Sequence, residues 1–137
     1  MQAVRYRSGI DGQTGRVITG RVHLAASLAQ IWTTSLGKRV MRLDFGSELR
    51  SHLAEDITGA LALEIYDDLT SAVYAFEPEY RVAEMQFVKL TRLGVLGLRH
   101  GGIYYPEGRF GNYAIQEDFG GVSSLARYEG LALGRAA

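Results

Sequence analysis

Leu24, Leu28, Ile31 and Trp32 recur at spacings of three and four, which places them on one face of a helix over residues 23–34. Leu36-Gly37 reads as its stop. The same period returns over 58–76, where Leu61, Ile65, Leu69, Ala72, Val73 and Phe76 form a continuous apolar stripe with Glu64, Asp67 and Asp68 off it. Such a helix spans about 28 Å, and Pro78 prevents its continuation. Between the two, residues 38–43 alternate, with Val40 opposed to Arg39 and Met41, as a short extended piece would. Gly46-Ser47 then opens a second short helix over 47–55, with Ser47 as its N-cap. Past Pro78 the period shortens to two, which predicts strands over 80–91, 95–105 and 113–117. Gly94 marks a tight hairpin, and Tyr105-Pro106-Glu107-Gly108 carries Pro and Gly at the second and fourth positions of a turn.

The two ends are patterned differently. Residues 5–22 hold four glycines and an Asp11-Gly12 pair and read as a loop or loose hairpin. Gly9, Gly12 and Gly15 are spaced like a phosphate cradle, but no Lys-Ser/Thr follows Gly15 and no clear strand precedes the run. Residues 118–137 are rich in small residues and weakly patterned, as a flexible tail that orders on a neighbour would be. The expected fold is α+β: two to three helices packed on a small antiparallel sheet. One domain is expected over 1–117 and a C-terminal tail extension over 118–137.

Composition changes this picture only in places. The 137 residues are enough for one core, and an apolar fraction of 47% argues against disorder. No cysteine is present, so disulfides and thiolate chemistry are out. No apolar run reaches the roughly 18 residues of a membrane helix, and the first residues lack a signal-peptide core. A soluble chain, intracellular at synthesis, is the expectation. Zero net charge argues against a simple nucleic-acid binder. The charge is nevertheless uneven, with eight Lys/Arg against three Asp/Glu in residues 1–50 and seven against twelve in the remainder. Thirteen of the fifteen basic residues are Arg. That bias fits bidentate protein interfaces, and equally a genome rich in Arg codons.

Catalytic chemistry finds little support in the residues. His23, His52 and His100 fall on three different elements; His52 and Asp56 lie four apart, but a metal site needs three or four ligands. Glu48, Glu55, Asp56 and Glu77 are available for a two-carboxylate glycosidase, a supply any protein offers. No serine sits on a G-x-S-x-G elbow. No cofactor and no metal are implied.

The run IWTTSLGKRVMRLDFGSEL, with DGQTGRVITGRVHLAASLAQI before it and AFEPEYRV after it, resembles the baseplate wedge family of contractile phage tails. That family includes the W-type baseplate proteins and is related to the small wedge subunit of type VI secretion baseplates. The matching positions include Asp11, Gly15, Gly20, His23, Gly37, Arg39, Met41, Phe45, Gly46, Ser47, Leu49, Glu77 and Pro78, within a likeness covering about residues 9–115. The resemblance implies a structural, non-enzymatic subunit of a virion tail baseplate, present in the host cytoplasm during assembly. Its implied partners are other wedge proteins, hub and spike proteins and the tail sheath, in a sixfold particle. It implies no nucleic acid and no membrane insertion. It further implies that the subunit links wedge and hub to the first sheath ring and templates sheath assembly by sharing strands at a sheet edge.

The resemblance also nominates residues. Arg39, Arg42, Glu77, Pro78, Glu79 and Arg81 are the candidate partner-binding set, and Gly15, Gly37, Phe45, Gly46 and Ser47 the structural motif. One departure stands out: the family usually has Glu-Pro-Arg after the long helix, whereas this chain has Glu77-Pro78-Glu79 with Arg81 two residues on. In an extended segment, positions 79 and 81 share a side. Arg81 therefore supplies the displaced guanidinium, or the contact is lost. Alternatives from other classes are a tail-associated peptidoglycan hydrolase, after the lysozyme-like label some members carry, and a stand-alone protein-binding adaptor.

Overall fold

The computed structural model describes residues 3–52, 58–89 and 96–124. A short antiparallel hairpin opens the fold, with β1 (Ser8–Ile10) paired to β2 (Val17–Thr19). Asp11 shapes its turn: its carboxylate accepts from the Gln13 N–H and the Thr14 hydroxyl. Helix α1 (Gly20–Thr33) follows, then the short α2 (Leu49–His52) and the long α3 (Gly59–Phe76). A three-stranded antiparallel sheet in the order β3-β4-β5 completes it, from β3 (Tyr80–Lys89), β4 (Leu96–Tyr104) and β5 (Glu117–Ser124). The expected α+β class is the one found.

The long helix forms as its sequence indicates. The Thr58 hydroxyl caps it by accepting from the Leu61 N–H at 3.2 Å, and Glu77 ends it one residue before Pro78. Its stripe meets the face of α1: Leu24, Leu28, Ile31 and Trp32 pack in one core with Leu61, Ile65, Leu69, Ala72 and Val73. Tyr80, Leu98, Tyr104 and Phe119 close that core from the sheet side. The Trp32 indole N–H donates to the Leu69 carbonyl at 3.2 Å, so the largest core side chain has its one polar atom satisfied. Because Ile65 and Leu69 are wholly buried, Ile65→Ala or Leu69→Ala should cost about 2–5 kcal/mol in denaturant unfolding. A loss below about half a kcal/mol would show that the stripe does not form the core.

Several expectations need correction. Helix α1 starts at Gly20 rather than 23, and it ends at Thr33, with Thr34 already extended. Gly37 lies in the following turn, where its N–H donates to the Leu43 carbonyl at 2.9 Å. Residues 38–43 form turns and no strand, because their hydrogen bonds close locally. Ser47 does not cap α2: its hydroxyl donates to the Trp32 carbonyl at 2.9 Å and its N–H to the Thr34 carbonyl, which ties the segment to the end of α1. Gly46 is required beside it, since its φ is +124° and a Cβ there would lie 2.3 Å from the Thr34 carbonyl oxygen.

The third strand is β5 at Glu117–Ser124, not 113–117. It pairs with β4 from Tyr104↔Glu117 to Gly97↔Ser124. The division expected at 117/118 therefore falls inside the sheet, and residues 118–124 belong to the domain. The remainder of the expected tail, residue 125 onward, lies outside the described residues, as do the Gly94 turn and the end of the helix expected to 55. The Tyr105–Gly108 turn is present, closed by the Gly108 N–H to the Tyr105 carbonyl at 2.9 Å.

Candidate functional site

The exit of α3 is where the sequence nominated residues, and the structure builds a polar network there. Glu77 ends the helix with its N–H on the Val73 carbonyl. Its carboxylate turns inward, 2.6 Å from an Arg7 guanidinium nitrogen and 2.9 Å from the donating Ser27 hydroxyl. Glu79 is 1% exposed. One of its oxygens receives Arg109 at 2.6 Å, and the other lies 3.6 Å from Arg7 without a hydrogen bond. Arg109 also donates to the carbonyls of Pro106 and Arg5, and Arg5 donates to Glu107 at 2.7 Å. Three arginines thus match three glutamates that no strand or helix of their own brings together.

His23 belongs to the same network. Its Nδ1 accepts from the Arg7 Nε at 2.7 Å, which holds the ring neutral with its proton on Nε2. Burial, aided by the Arg7 charge, pushes its pKa below the ordinary histidine value. Glu107 is held below the usual carboxylate range by the hydrogen bond from Arg5. A cleft of about 500 Å³ opens over this network, lined among others by Tyr6, Ser8, His23, Phe76 and Pro78.

The nominated arginines lie elsewhere. The Arg39 guanidinium sits 4.0 Å from the centre of the Phe45 ring and donates to Gln30. Arg42 lies 5.4 Å from Phe45 and 5.5 Å from Phe76. Arg81 is exposed, with its guanidinium near the rings of Tyr105 and Tyr113. Glu79 and Arg81 therefore do not share a side, because the chain turns at 78–79 before β3 begins. Of the remaining motif, Gly15 closes the β1–β2 turn with its N–H on the Asp11 carbonyl.

The other candidate groups are also engaged internally. His52 pairs with Asp68 at 2.6 Å, while Asp56 lies outside the described residues. His100 is buried, with Nδ1 2.9 Å from the Tyr80 hydroxyl. Among the described residues, no group of three or more His, Cys, Asp or Glu could hold a metal ion, and no helix is long and apolar enough to cross a membrane.

Against this geometry, the sequence profile of the family described as baseplate wedge protein gp25 matches residues 19–93. That stretch runs from the start of α1 through β3 and contains the core helices and the Glu77–Arg81 segment. The chain belongs to this gp25 family. Baseplate protein W of Escherichia phage P2 is 34% identical over 77 residues, covering 56% of this chain and 67% of that protein. Among solved structures, a chain of the contracted pyocin R2 baseplate is 26% identical with a TM-score of 0.60, covering 72% of this chain and 98% of its own. Two others share the fold alone. A chain of the anti-feeding prophage baseplate is 16% identical with a TM-score of 0.52, over 92% of this chain and 86% of its own. A putative tail lysozyme from Geobacter sulfurreducens is 22% identical with a TM-score of 0.57, over 75% and 86%. As a gp25 family member, the chain is a baseplate-type structural component of contractile-tail systems.

Proposed function

We propose that the protein is a non-enzymatic wedge subunit that joins wedge and hub components to the first sheath ring and templates sheath assembly within a sixfold baseplate. The observation that carries this reading is the edge strand β5. Among the described residues it is hydrogen-bonded to β4 on one side only. On its other side the Asp118 carbonyl is taken by the Arg21 guanidinium, and the row of backbone groups beyond it is where a strand from a sheath subunit can add. Asp118, Gly120, Gly121 and Val122 are exposed along it, so no bulky apolar side chain shields that row except Val122.

A muramidase reading draws only on the fold shared with the putative tail lysozyme. Glu77 would be its natural acid, yet its carboxylate is taken up by Arg7 and Ser27 inside the protein. Cell-wall digestion by the purified protein, lost in Glu77→Gln with the fold intact, would overturn the non-enzymatic reading.

Arg81 supplies the most direct test of the wedge contact. It is exposed, with its guanidinium 5.8 Å or more from the centres of the Tyr105 and Tyr113 rings, so Arg81→Glu should melt like wild type. The variant should nevertheless fail to restore sheathed tails in a strain lacking the protein, read by electron microscopy of the lysate. Normal contractile tails would move the wedge contact away from Arg81.

A further inference from the structure

Residues 36–43 expose four large apolar side chains within eight positions: Leu36, Val40, Met41 and Leu43. Val40 and Met41 are the extremes, 88% and 92% exposed. A chain free to bury such groups gains by doing so, and this loop is well held away from the core. The Gly37 N–H bonds the Leu43 carbonyl at its neck, the Arg42 N–H bonds the Arg39 carbonyl across its tip, and the Lys38 N–H bonds Ser35. The Arg39 guanidinium lies over the Phe45 ring and that of Arg42 lies near Phe45 and Phe76, both with a face left open to solvent. Two arginines that a sequence reading nominates as contact groups thus act as buttresses, and what they hold out to solvent is Val40-Met41.

We propose that this loop is a preformed knob whose Val40 and Met41 side chains insert into an apolar pocket, rimmed by carboxylates, on another subunit of the same particle. The inference rests on the reading of the chain as a baseplate subunit and names the chemistry of one of its partners. Charge sets the rim: Lys38, Arg39 and Arg42 lie within five residues, with no acid before Asp44. An acidic rim complements that field, while Val40 and Met41 contribute the desolvated centre. The hydrogen-bonded neck lowers the ordering cost of docking, and the unbranched Met41 adapts to an irregular pocket.

The test uses the full chain in its own particle, in a strain lacking the protein and complemented in trans. Val40→Asp with Met41→Asp should leave the melting temperature of the isolated protein unchanged and cut its incorporation into baseplates about tenfold or more, as loss of a central anchor does. Val40→Leu with Met41→Leu should restore incorporation. A photo-crosslinker at position 41 should join a peptide of a different baseplate chain that carries both apolar and acidic residues. Wild-type incorporation of the double Asp variant would overturn the proposal. So would a crosslink from position 41 to a second copy of this chain, or sedimentation of the wild-type protein, but not the Asp variant, with phosphatidylglycerol vesicles. If the strain lacking the protein makes normal tails without complementation, the baseplate reading itself fails, a result distinct from any of these.

Discussion

Arg7→Ala is expected to destabilise the isolated protein by about 3–5 kcal/mol, one of the largest effects any single charged residue here should produce. Arg7 reaches Glu77 at 2.6 Å, Glu79 at 3.6 Å and His23 at 2.7 Å. Both glutamates are almost fully buried, at 3% and 1% exposure. Removing the guanidinium leaves Glu77 with only the Ser27 hydroxyl and Glu79 with Arg109 on one oxygen. Two carboxylates then share a desolvated site, and repulsion adds to the lost attraction. Glu77→Gln placed on top of Arg7→Ala should recover part of that loss, because it removes one of the stranded charges. Urea unfolding of the two single variants and the double variant measures the coupling. A cost for Arg7→Ala below about 1 kcal/mol, or no coupling to Glu77, would show that the network is not buried as described.

His100 should make stability fall with acid. It is 3% exposed, edge-on to Trp32 and against Phe119, with Tyr80 on Nδ1 and Ser123 near Nε2. Burial pushes its pKa down to about 4, against about 6.5 in an unfolded chain. Above pH 6.5 the ring is neutral in both states and its contribution is complete. As pH falls from 6.5 toward 4, the unfolded chain takes up a proton that the folded one refuses, so stability declines with pH. That gap corresponds to about 3 kcal/mol by pH 4, of which part will be absorbed by local relaxation. His23, also lowered by burial, adds a contribution of the same sign. Unfolding midpoints of wild type and His100→Gln across pH 4–7 should converge at the acid end. Parallel curves would show that His100 does not carry the slope.

What was legible in the sequence follows from where each signal resides. The long helix was readable almost to the residue because two local signals agree, the Leu61-to-Phe76 stripe and Pro78, and the Thr58 cap found in the structure falls where the stripe begins. Helix α1 was readable by its apolar face but not at its ends, since Thr19 makes no side-chain cap bond and Thr34, not Gly37, stops it. Strand β5 was missed because its period of two is carried by Phe119 flanked by exposed Asp118 and Gly120, with glycine again at 121. A strand built on glycines is held by its ladder to β4, and backbone pairing leaves no trace in side-chain polarity. The false strand at 38–43 had alternation of the right period, but its arginines fold back onto aromatic rings and leave Val40 and Met41 outside.

The candidate site was legible in position and not in composition. Glu77, Pro78 and Glu79 stand out in the sequence as partner contacts, whereas the Glu77 and Glu79 carboxylates are buried in a network internal to the protein. Arg7 and Arg109, which complete it, do not stand out. Arg7 lies seventy residues from Glu77 and Arg109 thirty from Glu79, and ion pairs at such separations have no local pattern to read. An excess of arginine over lysine was the one signal present, and it points to planar, bidentate pairing without saying with whom.

The central claim is that this chain is a wedge subunit on which the sheath begins, and a reconstruction of the assembled particle by electron cryo-microscopy tests it most directly. The account predicts six copies of this fold in the baseplate, each with a strand of a first-ring sheath subunit hydrogen-bonded along β5 beyond Asp118. Particles that lack the chain, or a first sheath ring that makes no contact with it, would contradict the account.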